Sequence, residues 1–279
     1  MHPFSAETPM QLDTLFAQLH NLPNVPEVAQ VLIQQFDDPN TSIETLSRTV
    51  ARDPVIAAKV LRLANSARFR GARESTSIED AALRLGFNTL RTLVLASAFA
   101  GGFKAAPGFD LQAFWYNSFL VASLCKPLAK QAGLDQETAF TCGMLHDIGE
   151  LLIQSGAPEL APSLAGRATA SSHRAADETL QLGFGYPEVG AELARRWQLP
   201  QVLRDAIGYQ ARPLQAPEGN GYALIVAQAV AVAEVLHENA GDSKVQDLSG
   251  PLFASIDLEQ LTAVLPNARD TAATFAQAA

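Results

Sequence analysis

The sequence predicts an all-α fold, and three observations carry that expectation. Strand signals are nearly absent. Helix starts and stops recur throughout, as Ser and Asp caps, prolines in first turns and glycines at ends. Apolar residues return at helical spacing, as at Val28, Val31, Leu32 and Phe36. No fixed-period repeat accompanies them.

In chain order, Leu12 to Leu19 reads as a first helix, closed by Asn21-Leu22-Pro23. Pro26 opens a second, whose buried face is expected at Val28, Val31, Leu32 and Phe36, and Asp37-Asp38-Pro39-Asn40 closes it. Ser42 to Ala51 is a third. Asp53-Pro54 then stops one helix and starts another, because the carboxylate caps free N–H groups and proline fits the first turn. That helix presents Val55, Ala58, Leu61 and Ala64. Ser77-Ile78-Glu79-Asp80 resembles a capping box opening a helix through Leu85, with Gly86 as its left-handed end. Asn88 to Ala100 is apolar enough to lie buried on most sides. Gly101-Gly102 and Pro107-Gly108 mark the clearest boundary. Beyond it, a long helix from Leu111 to Ala132 carries Pro127, where a lost hydrogen bond predicts a kink. Gly133 ends that helix and Asp135 caps the next. A further helix runs to Gln154, residues 156–171 read as loop, and helices are expected at 172–182, 187–197, 200–209 and 220–239. A polar connection at 240–250 precedes one or two terminal helices, from Asp257 and Pro266.

The 279 residues suffice for one large domain or two small ones sharing an interface. With 48% hydrophobic and 18% charged residues, core material is ample and disorder is not indicated. A net charge of −9 and a pI near 5.0 argue against general nucleic-acid binding, which draws on clustered Lys and Arg. Cys125 and Cys142 sit in apolar helical stretches and read as reduced core thiols. No basic-then-apolar leader opens the chain, and no stretch approaches the roughly 20 apolar residues of a bilayer span. A cytoplasmic protein without membrane contact is expected.

The chemistry centres on Gly143-Met144-Leu145-His146-Asp147-Ile148-Gly149-Glu150. An apolar lead-in, a His-Asp doublet and Ile-Gly resemble the signature of the HD superfamily, whose doublet holds metal ions over a scissile phosphate. Three or four N/O ligands are needed to hold a divalent ion while leaving room for water and phosphate. Two alone make a weak site.

From about Leu12 to Pro213 the chain resembles one branch of that superfamily, the HDOD (HD-related output domain) proteins of bacterial signalling. In the first half the likeness rests on Leu22-Pro23 with Pro26, Asp53-Pro54, Leu61-Arg62-Leu63-Ala64-Asn65-Ser66, Ser77-Ile78 with Ala81, and Leu85-Gly86. In the second it rests on Leu145-His146-Asp147-Ile148-Gly149, Glu178 with Leu182-Gly183, Val189-Gly190-Ala191 and Trp197-Gln198-Leu199-Pro200. Catalytic HD enzymes do not share the first half.

The resemblance also says where the remaining ligands would fall. The early histidine of an active enzyme falls on Asn117, whose amide oxygen is a poor substitute. The histidine many HDOD proteins keep before Glu-Val-Gly falls on Pro187. Their frequent His-His falls on Tyr209-Gln210, and the late aspartate on Val230, with Glu234 one turn away. This implies a degenerate site comprising Asn117, His146, Asp147, Pro187, Tyr209, Gln210 and Val230, with no metal and no cofactor. The doublet is then structural, each side chain bonding nearby backbone, and Asp147 can hold the imidazole in one tautomer. Gly185-Tyr186-Pro187 spells the tripeptide of the HD-GYP phosphodiesterases. The His-His-Glu run of those enzymes is missing upstream, where Gln181-Leu182-Gly183-Phe184 stands, so the match reads as coincidence. Cys142 and His146 share a helix face but lack two further soft ligands.

One electrostatic feature stands apart from the doublet. Arg48, Arg52, Lys59, Arg62, Arg68, Arg70 and Arg73 crowd the first half of an acidic chain. They read either as a solvated face or as a docking patch for an acidic or phosphorylated partner. Leu83-Arg84-Leu85-Gly86-Phe87-Asn88 passes for a helix-turn-helix connection, against which the net charge speaks.

The expectation is an N-terminal helical bundle over residues 1–104 packed on an HD-like bundle over 105–279. Its function is read as non-catalytic signal transduction, by binding a protein partner or a regulatory nucleotide second messenger in the old cleft. No fused sensor or kinase fits in this length, so input and output are expected from other chains. The rivals are a metal-dependent HD phosphohydrolase and a DNA-binding regulator.

Overall fold

Helix-starting chemistry fixes the architecture. The computed structural model describes residues 12–18, 27–34, 42–102, 108–156, 172–238 and 242–278, and no strand occurs among them. The first half holds α1 (Leu12–Gln18), α2 (Glu27–Gln34), α3 (Ile43–Val50), α4 (Pro54–Ala64), α5 (Ile78–Leu85) and α6 (Phe87–Gly102). The second holds α7 (Leu111–Gln131), α8 (Gln136–Leu145), α9 (Ile148–Gly156), α10 (Ser172–Leu182), α11 (Tyr186–Arg196), α12 (Gln201–Tyr209), α13 (Tyr222–His237) and α14 (Leu258–Ala278). Short 3-10 turns cover Pro213–Gln215 and Asp242–Asp247.

The expected caps are made. Ser42 Oγ accepts from the Thr45 N–H at 3.2 Å. Asp53 Oδ1 accepts from Val55 and Ile56 at 3.0 and 3.1 Å, with Pro54 opening the helix. Ser77 accepts from Asp80, and Asp135 from Thr138. Each such bond satisfies an otherwise orphaned N–H and contributes about 1 kcal/mol. Gly86 and Gly133 stop α5 and α7 at φ of +78° and +70°, a region side chains resist.

Several expectations need correction. On α4 the buried residues are Ile56, Val60, Leu63 and Ala64, while Val55 is 64% exposed. Two apolar stripes run side by side along Pro54–Ala64, and the tertiary contacts select the one a residue further on. On α2, Ala29 and Ile33 are buried beside the half-buried Val31, while the side chains of Val28, Leu32 and Phe36, expected on the same face, lie outside those described. Gly101 and Gly102 are the last two residues of α6, so the helix takes in both glycines before it ends. Of the one or two terminal helices expected there is one, with Pro266 inside α14, and part of the polar connection folds as the 3-10 turn at Asp242–Asp247. The expected stops at 21–23 and 37–40, Pro26, the loop from 157 to 171 and the boundary near residue 104 lie outside the described residues.

Packing gives each half a central helix. In the first, α6 is buried from Leu90 to Ala98, with α2, α3, α4 and α5 around it. Ahead of that buried run, Phe87, Asn88 and Thr89 at the start of α6 stay exposed or half-buried. In the second, α7 is surrounded by α8, α13 and α14, and α11 lies between α9 and α12. The ends of the described chain cross over. Helix α1 packs on α9, with the Arg196 guanidinium 4.1 Å from the Phe16 ring centroid. Helix α14 packs on both α7 and α4, and Phe275 meets Phe69, Phe119 and Phe140 at 5.0–6.3 Å between centroids. Arg62 donates to the Ala278 carbonyl at 2.6 Å, a cation on the electronegative end of a helix. Cys125 and Cys142 are buried free thiols. No helix among the described residues is long and apolar enough to cross a membrane.

Candidate functional site

The doublet sits where α8 ends and α9 begins, and both side chains are buried. His146 Nδ1 lies 2.7 Å from the Gly143 carbonyl oxygen. A carbonyl only accepts, so Nδ1 carries the proton and Nε2 presents a lone pair. Burial pushes the imidazole pKa down to about 4, against the Gly143 bond and aided by the charge of Arg174. The ring is therefore neutral near pH 7. The Gly143 carbonyl, not Asp147, fixes the tautomer, which corrects the role expected of Asp147.

Asp147 faces Arg174 instead. Its Oδ2 lies 3.7 Å from Arg174 Nη1. The same guanidinium pairs closely with Glu150, holds Glu178 Oε1 at 2.8 Å, and stacks 4.9 Å from the Tyr186 ring centroid. Glu178 Oε2 accepts from the Tyr186 N–H at 2.6 Å, and Gln154 donates to Glu150 at 2.7 Å. Tyr186 donates its hydroxyl to Gln210 Oε1 at 3.2 Å, and Gln210 Nε2 returns to the His146 carbonyl at 2.7 Å. The contacts thus join α9, α10, α11, the end of α12 and the doublet.

One buried guanidinium faces three buried carboxylates, a charge imbalance a water-poor site resists. A proton relieves it, and Asp147 is the carboxylate farthest from the guanidinium. Burial raises its pKa to about 8, with Arg174 opposing and Glu150 and Glu178 reinforcing. Burial raises Glu178 in the same sense, against Arg174.

The two halves of the doublet therefore have opposite linkage to pH. The stability contributed by His146 is present above pH 6.5 and lost as pH falls through about 4. That contributed by protonated Asp147 is present below pH 3.8 and lost as pH rises through about 8. Between pH 6.5 and 8 only the second effect operates. Subtracting the Tm profile of Asp147→Asn from that of the wild type should leave a curve falling across this window. A flat difference curve would rule out the protonated carboxyl.

The residues do not fit a divalent metal. His146 Nε2 and Asp147 Oδ1 are buried without a hydrogen-bond partner among the described residues, so two donor atoms point at a possible ion or water. Further ligands are lacking. Asn117 Oδ1 lies 3.0 Å from His237 Nε2, and Gln210 is spent on His146, Ile207 and Tyr186. Pro187 and Val230 are buried and carry no donor, and Tyr209 is half-buried at the end of α12. Among the described residues no three His, Cys, Asp or Glu side chains group as a metal site. The Arg174 guanidinium already supplies the cation that Asp147, Glu150 and Glu178 attract. The structure brings His146, Asp147 and Gln210 together and leaves Asn117 with His237.

Sequence reasoning missed Arg174, Glu150 and Tyr186 as members of this cluster. The available signal was Arg174 four residues before Glu178, a spacing that pairs side chains on one helix face. Gly185-Tyr186-Pro187 serves packing here, opening α11 and placing Tyr186 between Arg174 and Gln210. In the basic set, Lys59 is half-buried and the six arginines are exposed. Arg62 and Arg68 are engaged with α14, through Ala278 and Asn267.

A family model described as HDOD domain matches residues 22–213. A crystal structure from Shewanella amazonensis SB2B, of a protein provisionally named a phosphohydrolase, is 34% identical with a TM-score of 0.78, covering 95% of this chain and 97% of that one. One from Marinobacter aquaeolei VT8, provisionally named a signal transduction protein, is 23% identical with a TM-score of 0.76, covering 95% and 65%; that likeness is one of fold. An uncharacterized protein of Treponema pallidum (strain Nichols) is 26% identical over 205 residues, 72% of this chain. The match spans only 40% of that relative's own length.

Proposed function

The chain belongs to the HDOD domain family, and from that membership we propose that it is a non-catalytic regulatory protein of bacterial signalling. The observation that supports this reading is the Arg174 cluster. A guanidinium occupies the charge role a metal would play and ties the doublet to α9, α10 and α11. Such a cluster can hold helices in one arrangement while doing no chemistry. Metal analysis of protein purified without chelator, with hydrolysis assays on cyclic dinucleotides and nucleotide pyrophosphates, tests it. The expected result is no stoichiometric metal and no turnover above that of His146→Ala.

The phosphohydrolase reading is favoured by one observation, the provisional name of the Shewanella amazonensis relative at 34% identity. Stoichiometric metal with turnover abolished in His146→Ala would establish it and overturn the regulatory reading.

On this proposal the exposed arginines engage an acidic or phosphorylated protein partner. Arg48, Arg70 and Arg73 are exposed candidates whose reversal leaves the α14 contacts of Arg62 and Arg68 intact. A triple change to Glu should abolish recovery of an acidic partner from native lysate. Equal recovery by wild-type and reversed bait would remove the patch from consideration.

A further inference from the structure

A cavity of about 370 Å³ opens where the two halves of the chain meet, and none of its lining residues belongs to the doublet or the Arg174 cluster. The first half contributes Arg68 and Phe69, after α4, and Asn88, Thr89 and Thr92 at the start of α6. Opposite stand Ser123, Lys126 and Lys130 of α7 and Gln136, Glu137 and Phe140 of α8, with α14 closing the third side.

Three kinds of lining surface coincide. The charged part holds three cations, Arg68, Lys126 and Lys130, against one carboxylate, Glu137, in a chain whose net charge is −9. Lys126 pairs with Glu137 at 2.5 Å and Arg68 donates to Asn267 at 2.9 Å. Lys130 is exposed and makes no ion pair among the described residues, so its charge is available to a ligand. The hydrogen-bonding part includes Thr92 and Ser123, which are buried in the protein yet line the cavity. The apolar part is aromatic, with Phe275 packed against both Phe69 and Phe140.

A ligand matching all three is anionic at one end, aromatic at the other and polar between. Small-molecule sites run from roughly 300 to 1,000 Å³, and this one falls near the lower limit. That size suits a single nucleotide better than a dinucleotide. We propose that the cavity between the segment after α4, α6, α7, α8 and α14 is a binding site for a 5′-mononucleotide, its phosphate on Lys130, Lys126 and Arg68 and its base against the phenylalanines. The ligand would bridge the two halves and touch the start of α8, whose other end carries His146. The proposal does not depend on whether the doublet is catalytic.

Calorimetric titration of the full chain with AMP, GMP, CMP and UMP tests it, alongside the parent nucleosides and inorganic phosphate. At least one nucleotide should bind with Kd below about 1 mM, and more tightly than its nucleoside or phosphate alone. Lys130→Glu, at an exposed position, should weaken it about tenfold or more. Lys130→Arg should keep it, and Lys244→Glu, at an exposed position outside the lining, should leave it unchanged. No binding by any of the four, or binding indifferent to Lys130→Glu, would overturn the site. Phosphate binding as tightly as the nucleotide would overturn the nucleotide assignment and leave an anion site.

Discussion

Replacing Arg174 by Met should destabilise the protein by about 3–5 kcal/mol, the usual cost of removing one partner from a buried ion pair. Methionine keeps much of the stem and its contact with Tyr186, so the loss isolates the guanidinium. What remains is Asp147, Glu150 and Glu178, all buried and with no compensating charge from that helix. Without an added cation, their protonation or their separation is the relief. Urea unfolding at neutral pH should show a lower midpoint, and the deficit should shrink toward acid pH as the carboxylates take up protons. Adding Glu178→Gln to Arg174→Met should recover part of the loss, because it removes one of the uncompensated charges. A deficit below about 1 kcal/mol would mean that solvent screens the cluster and that it fixes nothing. The same variant separates the functional readings. With the guanidinium gone, three carboxylates and the His146 lone pair attract a cation, so millimolar Mn²⁺ should raise the Tm of Arg174→Met and leave the wild type unchanged.

Arg174 also explains why the site was only half legible in the sequence. The His-Asp doublet is adjacent in the chain, and helix caps depend on neighbours two or three residues away, so both could be read directly. Ser42, Asp53, Ser77 and Asp135 all start helices where local chemistry required it. The cluster is different, because its carboxylates come from positions 147, 150 and 178 and meet only when α9, α10 and α11 pack. On α10 alone, Arg174 and Glu178 look like a solvated pair at i,i+4 spacing, whereas the structure buries both. The face of α4 failed for a related reason. Val55-Ala58-Leu61 and Ile56-Val60-Leu63 are equally good apolar stripes, and only the packing of α4 against α3, α5, α6 and α14 decides between them. Gly101-Gly102 read as a break from propensity, and α6 ends with them, the helix including both glycines. The pairing of Asn117 with His237 spans 120 residues, so sequence order gave no hint of it.

Gly149→Ala should destabilise by about 3 kcal/mol or more, reversing the sign expected of a glycine-to-alanine change in a helix. Alanine is the better helix former by about 1 kcal/mol, so at an open site the change helps. Here α9 and α11 cross at Gly149 and Gly190. A Cβ on Gly149 would stand 2.1 Å from the Tyr186 carbonyl oxygen and 2.7 Å from the Gly190 nitrogen. Both obstacles are backbone, so no rotamer change relieves the clash and the helices must separate. Separation would carry Tyr186 away from Glu178 and Gln210, and so loosen the contacts that hold the doublet. The variant should therefore lose stability and also lose the falling pH 6.5–8 difference attributed to Asp147, since water would reach the carboxyl. Gly71→Ala is the matched control. A Cβ there meets only the end of the Arg84 side chain at 3.5 Å, and its effect should stay within about 0.5 kcal/mol. If Gly149→Ala unfolds at the same urea concentration as Gly71→Ala, the two helices are not in backbone contact. If it fails as expected, the glycine two places after Asp147 is accounted for by packing, with no catalytic role required of it.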